Sequence, residues 1–211
     1  MTDNNLTRVV NWLTINASRI VKFSLNKPAS DEQISNLQKH FDKELPEDFV
    51  NLYKTYNGMN DEENMGNFFH ALPFLSIENI IADKEFRNTQ SRDVEPIPLN
   101  HFDKEIDGAN FYNPNWVALC FGGSRSYLRL DLSPSDKGKY GQIIFVDGDC
   151  NVGLLIANSI SQLIENFAND IDKGLYSLNE EALEDEQHFL EVDNQIDIIN
   201  WFKIEKWNAY I

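Results

Sequence analysis

The stretch WVALCFGGSRSYLRLDLSPSDKGKYGQIIFVDGDCNVGLLIA, residues 116–157, decides the fold class. Its apolar runs WVALCF, YLRLDL, GQIIFVD and NVGLLIA have the length and alternation of β-strands, and GGSRS, SPSDKGKYG and DGDC punctuate them as turns. Turns this short join antiparallel neighbours. In YLRLDL the leucines 128, 130 and 132 share one face, while Tyr127, Arg129 and Asp131 share the other, the pattern of a half-buried strand.

On the C-terminal side the period changes to that of a helix. Ser159 and Gln162 have capping-box spacing, Ile160, Leu163, Ile164, Phe167 and Ile171 form a stripe, and Lys173-Gly174 ends it. From Leu178 to Phe202 there is no Lys or Arg, and acids accumulate from Glu180 to Asp197. The tail reads as two acidic helices, about 179–190 and 194–208, with Ile199, Phe202 and Trp207 facing the body.

On the N-terminal side, Leu6 to Lys22 reads as an amphipathic helix, and Ser30 with Gln33 opens a second one over Asp31 to Asp42. LPEDFVNLYKTYNG, residues 45–58, reads as a third. Pro46 suits the first helical position, Glu47 and Asp48 complement the helix dipole, Phe49, Leu52, Tyr53 and Tyr56 form a stripe, and Gly58 can terminate it. FFHALPFLSIENIIADKEF reads as a short strand followed by a helix capped by Ser76. Residues 87–115, with Pro96, Pro98 and Pro114, show no steady period. The order is helices, a mainly antiparallel sheet, then helices: an α+β fold.

With 34 Asp and Glu against 18 Lys and Arg, the net charge of -16 repels phosphate backbones and anionic lipid and attracts basic proteins. No apolar run approaches a membrane span, and the N-terminus lacks a secretion signal, so a cytoplasmic location is expected. Cys120 and Cys150 both adjoin strand-like runs and read as reduced core thiols.

Sites for chemistry are tested and set aside. An EF-type loop counted from Asp103 needs a bidentate Glu where Pro114 stands, and DGDCNVG from Asp147 reads as a β-turn. The glycines of FGGSRS lead into a strand and not into a phosphate-binding helix, and histidines 40, 70, 101 and 188 have no paired spacing. No catalytic residue, metal or cofactor is expected.

Taken in order, LPEDFVNLYKTYNG, FFHALPFLSIENII, NPNWVALCFGG…YLRLDLSP, GQIIFVDGD and IANSISQLIENF resemble the blocks of the SUKH superfamily, in its SMI/KNR-type branch, over about residues 30–170. The resemblance implies an α+β domain that binds proteins and does not catalyse. Many bacterial members are immunity proteins encoded beside toxins, often nucleases, and fungal relatives are scaffold-like regulators of cell-wall synthesis. It also implies packing or turn roles for Leu45, Pro46, Tyr53, Asn57, Gly58, Trp116, Gly123, Leu130, Asp131, Gly141 and Ser159. The chain departs from the family pattern at one turn, where relatives tend to show an acid before a glycine run and this sequence has Gly122, Gly123, Ser124 and Arg125. The implied division is an N-terminal helical extension (1–28), a SUKH-like domain (29–175) and an acidic helical extension (176–211).

The expected function is an immunity protein that blocks a basic toxin; the alternatives are an adaptor without a toxin partner and, third, an enzyme. Partner contacts are expected at Asp61, Glu62 and Glu63, at Phe102 and Tyr112 in the long loop, and at the turn acids Asp147 and Asp149, because charge steers association while aromatic anchors supply affinity.

Overall fold

The computed structural model describes residues 4–60, 66–92 and 94–210. Four strands, β2 (Trp116–Phe121), β3 (Ser126–Asp131), β4 (Gln142–Asp147) and β5 (Val152–Ala157), form an antiparallel meander, and β1 (His101–Phe102) adds to the far edge, parallel to β5. Strand order is β1-β5-β4-β3-β2. Leu130 lies between Val117 and Ile143, and Leu128 beside Phe145, so one face is a continuous aliphatic surface.

Helices α1 (Asn4–Asn16), α2 (Asp31–Phe41), α3 (Glu47–Tyr53) and α5 (Ile160–Asp172) share one hydrophobic core with that face. α1 buries Leu6, Val9 and Leu13 and packs on α5, with Arg8 paired to Asp172. It ends at Asn16, short of the expected Lys22, and a π-helical turn, Ile20–Ser24, follows. The capping boxes behave as their spacing requires: Ser30 accepts from the Gln33 amide while Gln33 Oε1 accepts from Ser30 N, and Ser159 accepts from the Gln162 amide.

Pro46 is the N-cap of α3, with φ -54 and ψ 143, and not its first helical residue. Its extended ψ keeps it outside the helix, and Glu47 takes that place. Gly58 does not end α3 either, because the helix stops at Tyr53; its φ of +67 lets the chain cross against the backbone of Leu75 and Ser76. Beside it Asn57 Oδ1 accepts from Ile77 N at 2.9 Å, holding the start of α4 (Ile77–Gln90), which Ser76 caps.

The strand expected in FFHALPFL is a 3-10 turn, Phe69–Ala71, and a single bridge from Phe74 to Cys120. Phe68, Phe69 and Phe74 pack ring against ring, mostly edge to face, and Phe68 and Phe69 also meet Phe167, so ring packing there displaces ladder pairing.

The second face of the sheet is covered too. The segment before β2 folds back over it, and Leu99, Ile106 and Phe111 form a smaller core with Trp116, Ile144 and Val146. Arg129 and Asp131, which the sequence places opposite the leucines on the polar face of a half-buried strand, are therefore 2% and 0% exposed. Asp131 Oδ1 accepts from Trp116 Nε1 at 3.1 Å and Oδ2 from Gln142 Nε2 at 3.0 Å, and Gln142 also donates to Glu105 O. Burial raises the Asp131 carboxyl above the usual range, against these bonds.

The tail is not two long helices. It is a hairpin of β6 (Tyr176–Leu178) and β7 (Leu190–Val192) around the short α6 (Glu180–Glu184), followed by 3-10 turns at Ile198–Lys203 and Asn208–Tyr210. Trp201 and Trp207 are buried, tied by indole bonds to Asp147 Oδ2 (2.9 Å) and Asp103 Oδ2 (3.1 Å). Trp207 packs as expected, whereas Ile199 and Phe202 remain 39% and 42% exposed. The dense acids favour turns capped by their own side chains: Asp197 accepts from the amides of Ile199 and Asn200.

Candidate partner-binding surface

At the β1–β5 edge of the sheet lies a groove of about 790 Å³, within the usual range for ligand sites. It is lined by Asn100 and His101, by Asp149, Cys150 and Val152, and by Trp201, Phe202 and Tyr210 of the tail. The turn that shapes it is written in its own side chains. Asp147 Oδ1 accepts from the amides of Asp149 and Cys150, and Asn100 closes the other side through Cys150 O at 3.0 Å. Cys150 is consequently exposed at a corner and is not the core thiol its neighbours suggested; Cys120 is the buried one.

A cysteine, a histidine and an aspartate on one groove invite a test for nucleophilic chemistry. Partial burial, and then Asp147 and Asp149, raise the Cys150 thiol, which disfavours the reactive thiolate. His101 is stacked on Tyr210 with centroids 5.6 Å apart. Among the described residues no three His, Cys, Asp or Glu side chains come together as a metal site. What the groove offers is apolar surface beside an acid.

The expected contact residues fall in different places. Asp149 lines this groove; Asp147 shapes it but spends both oxygens internally. Phe102 is 40% exposed on β1, next to the groove, with its ring under Gly108. Tyr112 is half-buried and lines a different pocket, on the other core. Asp61, Glu62 and Glu63 lie outside the described residues.

Of the motif positions, Leu45, Tyr53 and Leu130 are buried, and Tyr53 Oη donates to Leu75 O at 2.9 Å. Gly141, at φ +82, faces Pro46, and Gly123 has φ +78 in the β2–β3 turn.

Sequence reasoning missed Trp201 and Phe202 as groove residues, because the tail was assigned helices. It also missed a buried ion cluster on α4. Asp83 Oδ2 accepts from Arg87 Nε at 2.8 Å and from Arg129 Nη1 at 3.1 Å, with all three side chains under 9% exposed. Arg87 also donates to Asn113 O and Trp116 O, fastening α4 to the loop that covers the second face. Burial opposes ionisation of Asp83, but Arg129 and Arg87 outweigh it and hold its carboxyl below the usual value. The signal was available: the buried face Ile77, Ile80, Lys84, Arg87 keeps helical phase while its residues turn from apolar to charged.

Lys84, donating to Pro114 O, is pushed by burial and then by Arg87 from 10.5 down to about 8. Since the folded value lies below the unfolded one, the penalty is complete below pH 8 and is relieved as pH rises toward 10.5. Wild type should therefore gain stability relative to Lys84→Met over that window, by up to ~1.4 kcal/mol per pH unit, read from denaturant melts at stepped pH. A flat difference would place the ammonium in solvent.

The model of the SMI1 / KNR4 family (SUKH-1) matches residues 28–166, from the lead into α2 to the middle of α5. The chain belongs to the SMI1/KNR4 family. Among curated relatives, the cell wall assembly regulator SMI1 of Saccharomyces cerevisiae is 21% identical over 189 residues, covering 74% of this chain and 37% of that protein. A KNR4/SMI1 homolog of Kluyveromyces lactis is 29% identical over 72 residues (34% of this chain, 14% of that protein). The glucan synthesis regulatory protein of Neurospora crassa is 28% identical over 74 residues (35% and 14%). The chain thus spans little more than a third, or less, of the relatives it matches. No helix among the described residues is long and apolar enough to cross a membrane.

Proposed function

We propose that this SMI1/KNR4-family chain is a non-catalytic regulatory adaptor that acts by binding another protein, with the groove at the β1–β5 edge as its docking surface. The observation that carries the reading is Phe202, a large aromatic left 42% exposed in the lining of the groove while its neighbour Trp201 is buried and anchored to Asp147. An exposed aromatic on a fixed turn loses little entropy on binding and is the type of residue that dominates interface energies. The regulatory names of the yeast and Neurospora relatives support the adaptor reading over neutralisation of a toxin, for which the charge of -16 is the remaining argument.

The test places a photo-crosslinking amino acid at position 202, and at Ile15 on α1 as control, in the full chain expressed in its own cells. A partner should crosslink at 202 and not at 15. Phe202→Asp should weaken its binding by at least about tenfold without shifting the thermal midpoint, since Phe202 is not part of the core. A partner that binds Phe202→Asp as well as wild type would remove the groove from the proposal, and steady turnover of a small molecule would remove the adaptor reading itself.

A further inference from the structure

On the second face of the sheet, with no lining residue in common with the groove, is a pocket of about 330 Å³ whose charge runs against the rest of the molecule. Its wall carries Arg87, Arg125 and Arg129 against Asp83, three cations less one anion, a net +2, in a chain of net -16. Its remaining surface is largely aromatic: Phe86, Phe111, Tyr112 and Tyr127. The guanidinium of Arg129 stands 3.9 Å from the Tyr127 ring centre and that of Arg125 4.8 Å from Phe111.

Arg87 spends its donors on Asp83, Asn113 O and Trp116 O, but two features leave cationic capacity in the pocket. Arg87 and Arg129 share one oxygen of one carboxylate, so two buried positive charges have a single buried counter-ion. Buried charge without a full complement is unfavourable unless an opposite charge approaches. Arg125, exposed at the mouth, has no carboxylate partner among the described residues and is held only by its stacking on Phe111. It sits within a run of left-handed residues: Gly123 at φ 78, Ser124 at 41 and Arg125 at 67. That turn packs on the next one, with Gly148 N donating to Arg125 O and the space at Gly148 closed by Arg125 and Phe111.

We propose that this pocket binds a single oxyanion, a carboxylate or a phosphate monoester, presented on the side chain of a partner peptide. The planar guanidiniums of Arg125 and Arg129 take either group through charge-assisted bonds, Arg87 adds its field, and the aromatic walls take the stem. The volume suits one headgroup with a short stem. A polyanion is disfavoured by the net charge of -16 on the chain as a whole, whereas one charge is governed mainly by what lies within a Debye length of ~8 Å.

Calorimetric titration of the full chain at low ionic strength, with blocked single residues as probes, tests this. N-acetyl-phosphotyrosine amide and N-acetyl-glutamate amide should bind, and neutral N-acetyl-tyrosine amide should not. Arg125→Glu should lose at least about tenfold in affinity and Arg125→Lys less, because a lysine keeps the charge but not the fork. Phe86→Ala, at a position 61% exposed, provides a second variant whose folding is secure and should weaken phosphotyrosine several-fold. A preference for the phosphorylated probe would identify a modified partner, and comparable binding an acidic one; both support the site. It is overturned if no probe binds, if the neutral probe binds equally, if Arg125→Glu and Phe86→Ala titrate like wild type, or if adenosine monophosphate binds more tightly than either anionic probe. These measurements need no partner protein and leave the groove reading untouched.

Discussion

Replacing Asp83 with Asn should lower stability by ~3–5 kcal/mol, a large part of the 5–15 kcal/mol typical of a domain. The cost arises from what is left behind. Arg87 and Arg129 are 4% and 3% exposed as side chains, so neither can turn to water when their shared carboxylate is neutralised. Arg87 still has Asn113 O and Trp116 O, and the principal loss falls on Arg129, whose polar contact is Asp83. The pH dependence gives an independent check. Because the folded Asp83 carboxyl titrates below its ordinary 3.8, its contribution is complete above that pH and is lost as pH falls further toward the folded value. The gap between wild type and Asp83→Asn in denaturant melts should therefore be constant near neutrality and shrink in acid. A difference under ~1 kcal/mol at pH 7 would mean that the triad is solvated.

This triad also shows where reading the sequence succeeds and where it stops. Strand period, capping boxes and turn residues act locally, so β2 to β5, α2 and α5 could be drawn from residues 31–42 and 116–174 alone. What covers a sheet's second face is not local. Arg129 alternates with Leu128 and Leu130 as a solvent-facing residue would, and only the return of residues 97–116 over that face turns it into a buried cation. The tail failed for a related reason: its acids and scattered apolar residues suit a helix as well as capped turns, and the choice is made by Trp201 and Trp207 finding Asp147 and Asp103, about 54 and 104 residues away in the chain. Of the expected contact residues, Asp149 could be placed because a β-turn was legible at 147–150. Phe202 and Arg125 are set by tertiary packing of two turns, and no spacing announces that.

The second large effect is expected at Gly58, where Gly58→Ala should cost ~2–4 kcal/mol as the sum of overpacking and left-handed strain. A Cβ there would stand 2.3 Å from Leu75 C and Ser76 N and 2.4 Å from Leu75 O, all backbone atoms, so no rotamer change relieves the contact. Relief requires moving the lead into α4, which Tyr53 and Asn57 hold through Leu75 O and Ile77 N, while Asn26 N donates to Gly58 O. Gly123→Ala separates the two causes, since Gly123 has a similar φ of +78 but nothing within 4 Å of an added Cβ. It should lose only the conformational part, ~1 kcal/mol. Equal losses at the two positions would show that close approach contributes nothing at Gly58. Because α4 carries Asp83, Phe86 and Arg87, a shift at its N-terminus also displaces the wall of the cationic pocket. Gly58→Ala should thus weaken the phosphotyrosine probe while Gly123→Ala, which leaves α4 in place, weakens it only through the turn that carries Arg125; a Gly58→Ala protein that is destabilised yet binds the probe normally would show that α4 holds its position independently of this crossing.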